Sequence, residues 1–428
     1  MLLCNEFLHY SFLYSTNIAF NNVFRLVIRL KTEVDYDALK RASKTAFKRY
    51  PYFCVKLVKK GDCYDVVFND RDVKVIHSSS PIVLGTEEAN CHFVSIGCSG
   101  KAIYIDVYHS LTDASGITPL SKTLMYYYHY ETTGKYPEKR DILTLDDIVT
   151  EKETSDPVSY IKEYPEKADY EYHEIKAFNL GTKDENTLDQ RKLYLVKIPE
   201  ETFMTYVKEH KGSVNTTIAS LFAKAVDRCS FEEKEKIVAG IAMSTKRLIR
   251  AEKSYANMVA LANIEFPEMI ENLSIEELNR EARIDLSEQT KEQNILYSIK
   301  KRPNLVAYLK ALPDDDSRKD VYYKMILRMK ARDTFFVSYL GKQDWSSLED
   351  DIDSIFVISE ADNHSMEINL YAVGGNFCIA MAQNFGLKDY MESFLSLLSG
   401  EGIPYSVEDP VDLSLPLVRT TELFVQKE

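Results

Sequence analysis

A strand that turns directly into a helix is the feature that most narrows what this chain can become. Ile103, Ile105, Val107 and His109 alternate with Tyr104, Asp106 and Tyr108, so they share one face of an extended segment. Ser110-Leu111-Thr112-Asp113-Ala114-Ser115-Gly116 then turns the chain, and helix period follows over Leu120–Tyr130. The same mixture of periods recurs throughout. A helix is expected from Asp37 to Tyr50, with Leu39, Ala42, Ala46 and Phe47 on one face and Pro51 as its stop. Strand patterns fall at Tyr64–Phe68, Val73–Ile76, Lys192–Ile198 and Ile237–Met243. Helical patterns cover Glu201–His210, Ser213–Asp227, Ser274–Leu312 and Lys319–Arg332. Gly374-Gly375 joins Glu367–Val373 to Asn376–Ala382 as a hairpin, and a last amphipathic helix closes at Gly400.

At 428 residues the chain exceeds one ordinary core, since domains usually hold roughly 100–200 residues. The pattern dissolves between Glu151 and Lys192, a Lys/Glu/Asp-rich stretch holding Pro157 and Pro165. We therefore expect an α+β protein of two lobes, residues 1–165 and 191–428, joined by a charged crossover at 166–190. One chain supplies both lobes, so a monomer is expected.

Charge removes several classes. With 53 Lys+Arg against 66 Asp+Glu the net charge is −13, which excludes a general nucleic-acid binder and a surface built for anionic lipid. The seven cysteines (Cys4, Cys54, Cys63, Cys91, Cys98, Cys229, Cys378) form no CxxC pair and no zinc spacing, as expected of reduced thiols in a cytoplasm. Met1–Glu6 lacks a basic n-region, and Asn, Ser and Thr interrupt Phe7–Phe24. The expectation is a soluble cytoplasmic protein without a membrane span. Tyr 28 beside Trp 1 suits a large core and walls of mixed polarity.

There is no P-loop, GxGxxG, GxSxG or HExxH. His109 and Asp113 are the densest chemical signal. A histidine on a strand-to-helix turn can serve as a general base, because its ordinary pKa lies near neutrality. The competing reading makes His109 a structural strand-end residue and Asp113 a plain N-cap. No third ligand accompanies the pair, so no metal is expected.

His109-Ser-Leu-Thr-Asp113, with Gly116 beyond, resembles the HxxxD motif of the chloramphenicol acetyltransferase-like superfamily, which includes condensation domains and alcohol acetyltransferases. Asp37–Phe53, ending in Arg49-Tyr50-Pro51-Tyr52-Phe53, is similar to that superfamily's first helix. Thr245-Lys246-Arg247 with Asn257 resembles its Asn-Leu-Arg … Asn segment, and Val337-Ser338-Tyr339-Leu340-Gly341 its Ser-Asn-Leu-Gly strand. Tyr108 stands where many condensation domains have a second histidine. Ala114 replaces the glycine after the aspartate, and the Asp-Phe-Gly-Trp-Gly motif is missing. Asn384-Phe385-Gly386 looks like part of it but follows the last hairpin. These departures point to a stand-alone acyltransferase of the alcohol acetyltransferase type.

The resemblance implies two similar lobes in a V with a tunnel between them, and acyl transfer from a thioester to a hydroxyl or amine without a covalent enzyme intermediate. His109 would be the base. Asp113 would orient the site, paired with Arg247, and Gly116 would support the turn. Tyr108, Asn257, Ser338 and Tyr339 are the expected tunnel residues. Arg250 and Lys253 are the basic residues for coenzyme A phosphates. No cofactor is held permanently; acyl-CoA or an acyl-carrier-protein thioester is the co-substrate. The partners implied are a small alcohol or amine and, for the carrier route, a carrier protein. A non-catalytic scaffold that binds a carrier protein or small ligand is the alternative.

Overall fold

The computed structural model describes residues 22–60, 63–171, 173–181, 191–229, 235–359, 366–413 and 426–427. The opening segment read above for a leader, residues 1–21, lies outside them.

The first half supplies β1 (Val23–Leu30), α1 (Tyr36–Arg49), β2 (Val55–Lys60), β3 (Cys63–Phe68), β4 (Val75–Ile76), β5 (Val94–Ser99), β6 (Ala102–Tyr108) and α2 (Ala114–Thr133). Helix α1 begins at Asp35, whose carboxylate accepts the Ala38 N–H at 2.9 Å, and a turn at Pro51–Phe53 follows it. Helix α2 is buried almost all round over Gly116–Tyr128 and ends at Gly134, which takes the left-handed conformation at φ 72°.

The second half supplies β7 (Lys192–Pro199), α3 (Glu200–Glu209), α4 (Val214–Cys229), β8 (Val238–Ser244), β9 (Val259–Glu265), α5 (Ile275–Gln289), α6 (Glu292–Lys310), α7 (Asp315–Lys330), β10 (Phe335–Lys342), β11 (Ile352–Ser359), β12 (Met366–Val373), β13 (Asn376–Gln383), α8 (Asp389–Gly400), β14 (Ser406–Val407), β15 (Val411–Asp412) and β16 (Gln426–Lys427). The continuous helical run expected over Ser274–Leu312 breaks at Thr290–Lys291.

Two large sheets carry the lobes. The first has the order β11-β1-β6-β5-β4 and the second β14-β7-β13-β12-β10-β8-β9, with β15 also on β7. A small sheet, β16-β2-β3, stands apart from both. In the second sheet β10 runs parallel to both neighbours, and the other pairs are antiparallel. The sheets do not divide at one point of the chain, because β11 leaves the second half and pairs antiparallel with β1, Phe24 opposite Ser359 and Val27 opposite Phe356. Strand β1 is flanked on both edges and buried on both faces, which explains its continuous apolar run.

One core joins Leu26, Ile28, Ile103 and Ile105 to α1 and α2, and extends to Leu195, Tyr371 and Ala380 on the second sheet. The other face of that sheet packs on α3, α4 and α8 through Phe203, Phe222, Phe335, Phe377 and Phe394. Phe385, from the Asn384-Phe385-Gly386 segment, is wholly buried there, so that segment serves the second core. Among the described residues no helix is long and apolar enough to cross a membrane.

Candidate active site

Strand alternation delivers His109 to the rim of the first core. Ile103, Ile105 and Val107 are fully buried on one face, and His109 follows one residue past the end of β6. Its backbone N–H donates to Asn22 O at 2.7 Å, extending the β1–β6 pairing by one rung. The Phe24 ring meets the imidazole edge-on, with centroids 5.0 Å apart. Nδ1 lies 3.1 Å from Thr112 O and 2.9 Å from Asn257 Nδ2. Two bonds fix the Asn257 amide: Nδ2 donates to His109 O at 3.1 Å, and Oδ1 accepts the Val259 N–H at 3.2 Å. Nδ1 thus faces an acceptor, the Thr112 carbonyl, and a donor, the Asn257 amide, and the His109 carbonyl also acts on the ring. Burial pushes the imidazole below its ordinary value. The Asp113 charge and the two carbonyls pull it part of the way back. Burial thus favours the uncharged imidazole, which keeps some accessible surface.

Asp113 is 2% exposed and caps α2. Oδ1 accepts from Gly116 N at 2.7 Å, Ser115 Oγ at 2.6 Å and Lys246 Nζ at 2.8 Å, and Oδ2 accepts from Met258 N at 3.0 Å. Burial alone would raise its pKa, but Lys246 and these hydrogen bonds outweigh it and hold the carboxyl below the usual range. With four donors on it, Asp113 is committed to holding the turn.

The cation on Asp113 is Lys246; the expectation of Arg247 is corrected. Thr245 and Lys246 are both buried where the chain leaves β8, whereas Arg247 is exposed. Motif position alone suggests Arg247; the strand ends at Ser244, and beyond it the backbone turns Lys246 inward and Arg247 outward. Lys246 also donates to Ser115 Oγ at 2.8 Å, which a compact ammonium can do while still reaching the carboxylate.

Gly116 stands where a side chain has no room. A Cβ there would lie 2.2 Å from Thr112 Oγ1 and 2.3 Å from Tyr255 O. Thr112 Oγ1 itself donates to Tyr255 O at 2.5 Å, so the second-half segment rests directly on the turn. Of the residues expected in the tunnel, Asn257 lies against His109. Tyr108 does not: it is 2% exposed in the first core and packs on Phe93 at 5.4 Å, because it faces opposite to His109. Ser338 lies across from Asn369, on the sheet face that carries Tyr371 toward the first lobe. Tyr339 turns to the other face and meets Phe377 at 5.6 Å, so it does not belong with His109. Arg250 and Lys253 are exposed on the turn between Lys246 and Tyr255.

Thr112, Tyr255 and Glu153 escaped the sequence reading. Thr150 with Glu153 three residues on is a capping-box signature that could have marked the last of them. Among the described residues no three His, Cys, Asp or Glu side chains stand where they could share a metal ion. Burial pushes the Cys54 thiol up to about 12 and the Cys378 thiol up to about 11, so neither is a thiolate nucleophile at neutral pH.

Two sheet-bearing lobes, with a histidine on a strand-to-helix turn held by a segment from the second half, make the chloramphenicol acetyltransferase-like fold that condensation domains share. No family model matches the chain, and no curated protein matches it in sequence. Solved structures do match. TRI101 of F. sporotrichioides, in complex with coenzyme A and T-2, aligns with a TM-score of 0.58 at 10% identity, covering 90% of this chain and 96% of that one. Polyketide synthase associated protein 5 from Mycobacterium tuberculosis gives 0.56 at 13% identity, covering 93% and 97%. The condensation domain of the monacolin K polyketide synthase MokA gives 0.56 at 10% identity, covering 93% and 96%.

Proposed function

We propose that this protein is an acyltransferase that moves an acyl group from a thioester to a hydroxyl or amine, with His109 as general base. The observation that carries the reading is the division of labour at the turn. Asp113 is spent on Lys246 and three other donors, and His109 beside it is desolvated, its Nδ1 against Thr112 O and the Asn257 amide. An alcohol attacks a thioester well only when its proton leaves as the bond forms, and a positioned imidazole supplies roughly 10²–10⁴-fold by taking it. Nε2 would accept that proton and return it to the departing thiolate, so no covalent enzyme intermediate is needed. Donor and acceptor would meet at His109 in a tunnel between the lobes, with Asn257 and Ser338 on its second-lobe side.

Coenzyme A is the donor carrier favoured here. Similar structures are complexes with it, and Arg247, Arg250 and Lys253 give an exposed basic turn just outside the Asp113–Lys246 pair despite the overall acidity. The test is thiol release from acyl-CoA with a panel of alcohols and amines. The expected result is acceptor-dependent release that His109→Ala lowers by on the order of 10²–10⁴-fold with the fold intact. If no acceptor stimulates release, or if His109→Ala leaves stimulated release unchanged, the reading fails.

A further inference from the structure

We propose that Glu153 is a positioning residue for this reaction: it clamps the Tyr255–Met258 segment that orients His109. The proposal rests on the acyl-transfer reading for its function and on geometry for its substance. Glu153 lies in the Lys/Glu/Asp-rich stretch where the periodic pattern dissolves, yet it is 5% exposed. Its carboxylate accepts both arms of the buried Arg49 guanidinium, at 3.0 and 3.1 Å. Oε2 also accepts from Tyr52 OH at 3.1 Å, and Oε1 from Thr150 N and Oγ1, both at 2.9 Å.

From this knot two contacts lead to the site. The Glu153 carbonyl accepts the Tyr255 N–H at 3.3 Å, and the Tyr52 ring stacks on the Tyr255 ring with centroids 4.5 Å apart. Tyr255 O in turn accepts from Thr112 Oγ1 at 2.5 Å, inside the HxxxD turn. Two and three residues further on, Asn257 holds His109 and Met258 N holds Asp113. Two segments far apart in sequence thus hold the backbone of Tyr255, and a third stacks on its ring. Replacing a buried ion pair by apolar residues often costs little stability, so what this pair contributes is a fixed position for that backbone. Slack there would draw Asn257 from His109 and admit water to the imidazole.

The experiment compares Glu153→Gln and Thr112→Val, which loosen the Tyr255 contact from opposite ends; Thr112→Val is local and covers the case in which Glu153→Gln folds poorly. Steady-state kinetics per folded molecule are read beside the titration of His109 in ¹³C-histidine-labelled protein, its signal assigned by its loss in His109→Gln. The expected result is kcat down by on the order of 10–100-fold with KM for the acyl donor unchanged, and a His109 pKa moved up toward its ordinary ~6.5 in both variants. Reduced stability with unchanged kcat and an unchanged His109 titration would overturn the proposal and leave Glu153 merely structural. If wild-type protein releases no thiol with any acceptor, the acyl-transfer reading falls. The titration still decides the clamp: a shift in both variants supports it, and no shift overturns it.

Discussion

Lys246→Met removes the cation from Asp113 and nothing else of comparable charge. The two side chains are 5% and 3% exposed, with Nζ 2.8 Å from Oδ1. Breaking a buried pair from one side costs about 3–5 kcal/mol, because the remaining charge is stranded. Asp113 would keep its donors from Gly116, Ser115 and Met258, which places the loss near the lower end, at ~3 kcal/mol at pH 7. The pH dependence has a definite sign. In the wild type the folded pKa of Asp113 lies below its unfolded value, so its contribution is present above ~4 and is lost as pH falls through the folded pKa. Without Lys246 burial dominates and raises the folded pKa above the unfolded one. The variant then regains stability as pH falls through that raised value, and the gap from wild type narrows toward pH ~4. Urea unfolding at pH 7 and at pH ~4.5 measures both quantities. Arg247→Met, at an exposed position, should stay within about 0.5 kcal/mol. Adding Asp113→Asn to Lys246→Met should recover part of the loss, since no charge is then stranded. A Lys246→Met protein as stable as wild type at pH 7, or an Arg247→Met protein equally weakened, would refute the assignment.

Because burial holds the His109 pKa below ~6.5, kcat/KM should rise through an inflection below that value and be flat at pH 7; an inflection above 7 would mean that the imidazole is not desolvated as described. Asp113→Asn removes a charge that raises the His109 pKa, so the inflection should move further down in that variant. Gly116→Ala forces a methyl to within 2.3 Å of Tyr255 O and should cost about 1–3 kcal/mol with a matching fall in kcat; wild-type behaviour in thermal unfolding and turnover would show that the turn yields. Reversing the charge of Arg250 and Lys253 together should raise KM for acyl-CoA and flatten its salt dependence, and an unchanged KM would favour a carrier-protein donor.

Local physics determined much of this protein from its sequence. Alternation over Ile103–His109 put the histidine at a strand end on the apolar face, and Asp113 was legible as the helix cap, because side-chain period and capping need only a few neighbouring residues. The helix stopped by Pro51 and the Gly374-Gly375 hairpin were legible for the same reason. Other features depended on partners hundreds of residues away. Strand β11 follows the second-half strands in sequence, yet it pairs with β1 in the other lobe's sheet, which only the closed fold decides. Lys246 rather than Arg247 meets Asp113 because the chain past the strand turns Lys246 inward and leaves Arg247 exposed, a matter of backbone path and not of residue type. Tyr108 and Tyr339 were expected to line the tunnel, but strand pairing turns Tyr108 into the first core and Tyr339 toward the second. Glu153, in a charged stretch without apolar periodicity, is buried because Arg49 arrives from 104 residues away to neutralise it. A charge is inside or outside according to whether a partner reaches it, and that the tertiary structure alone decides.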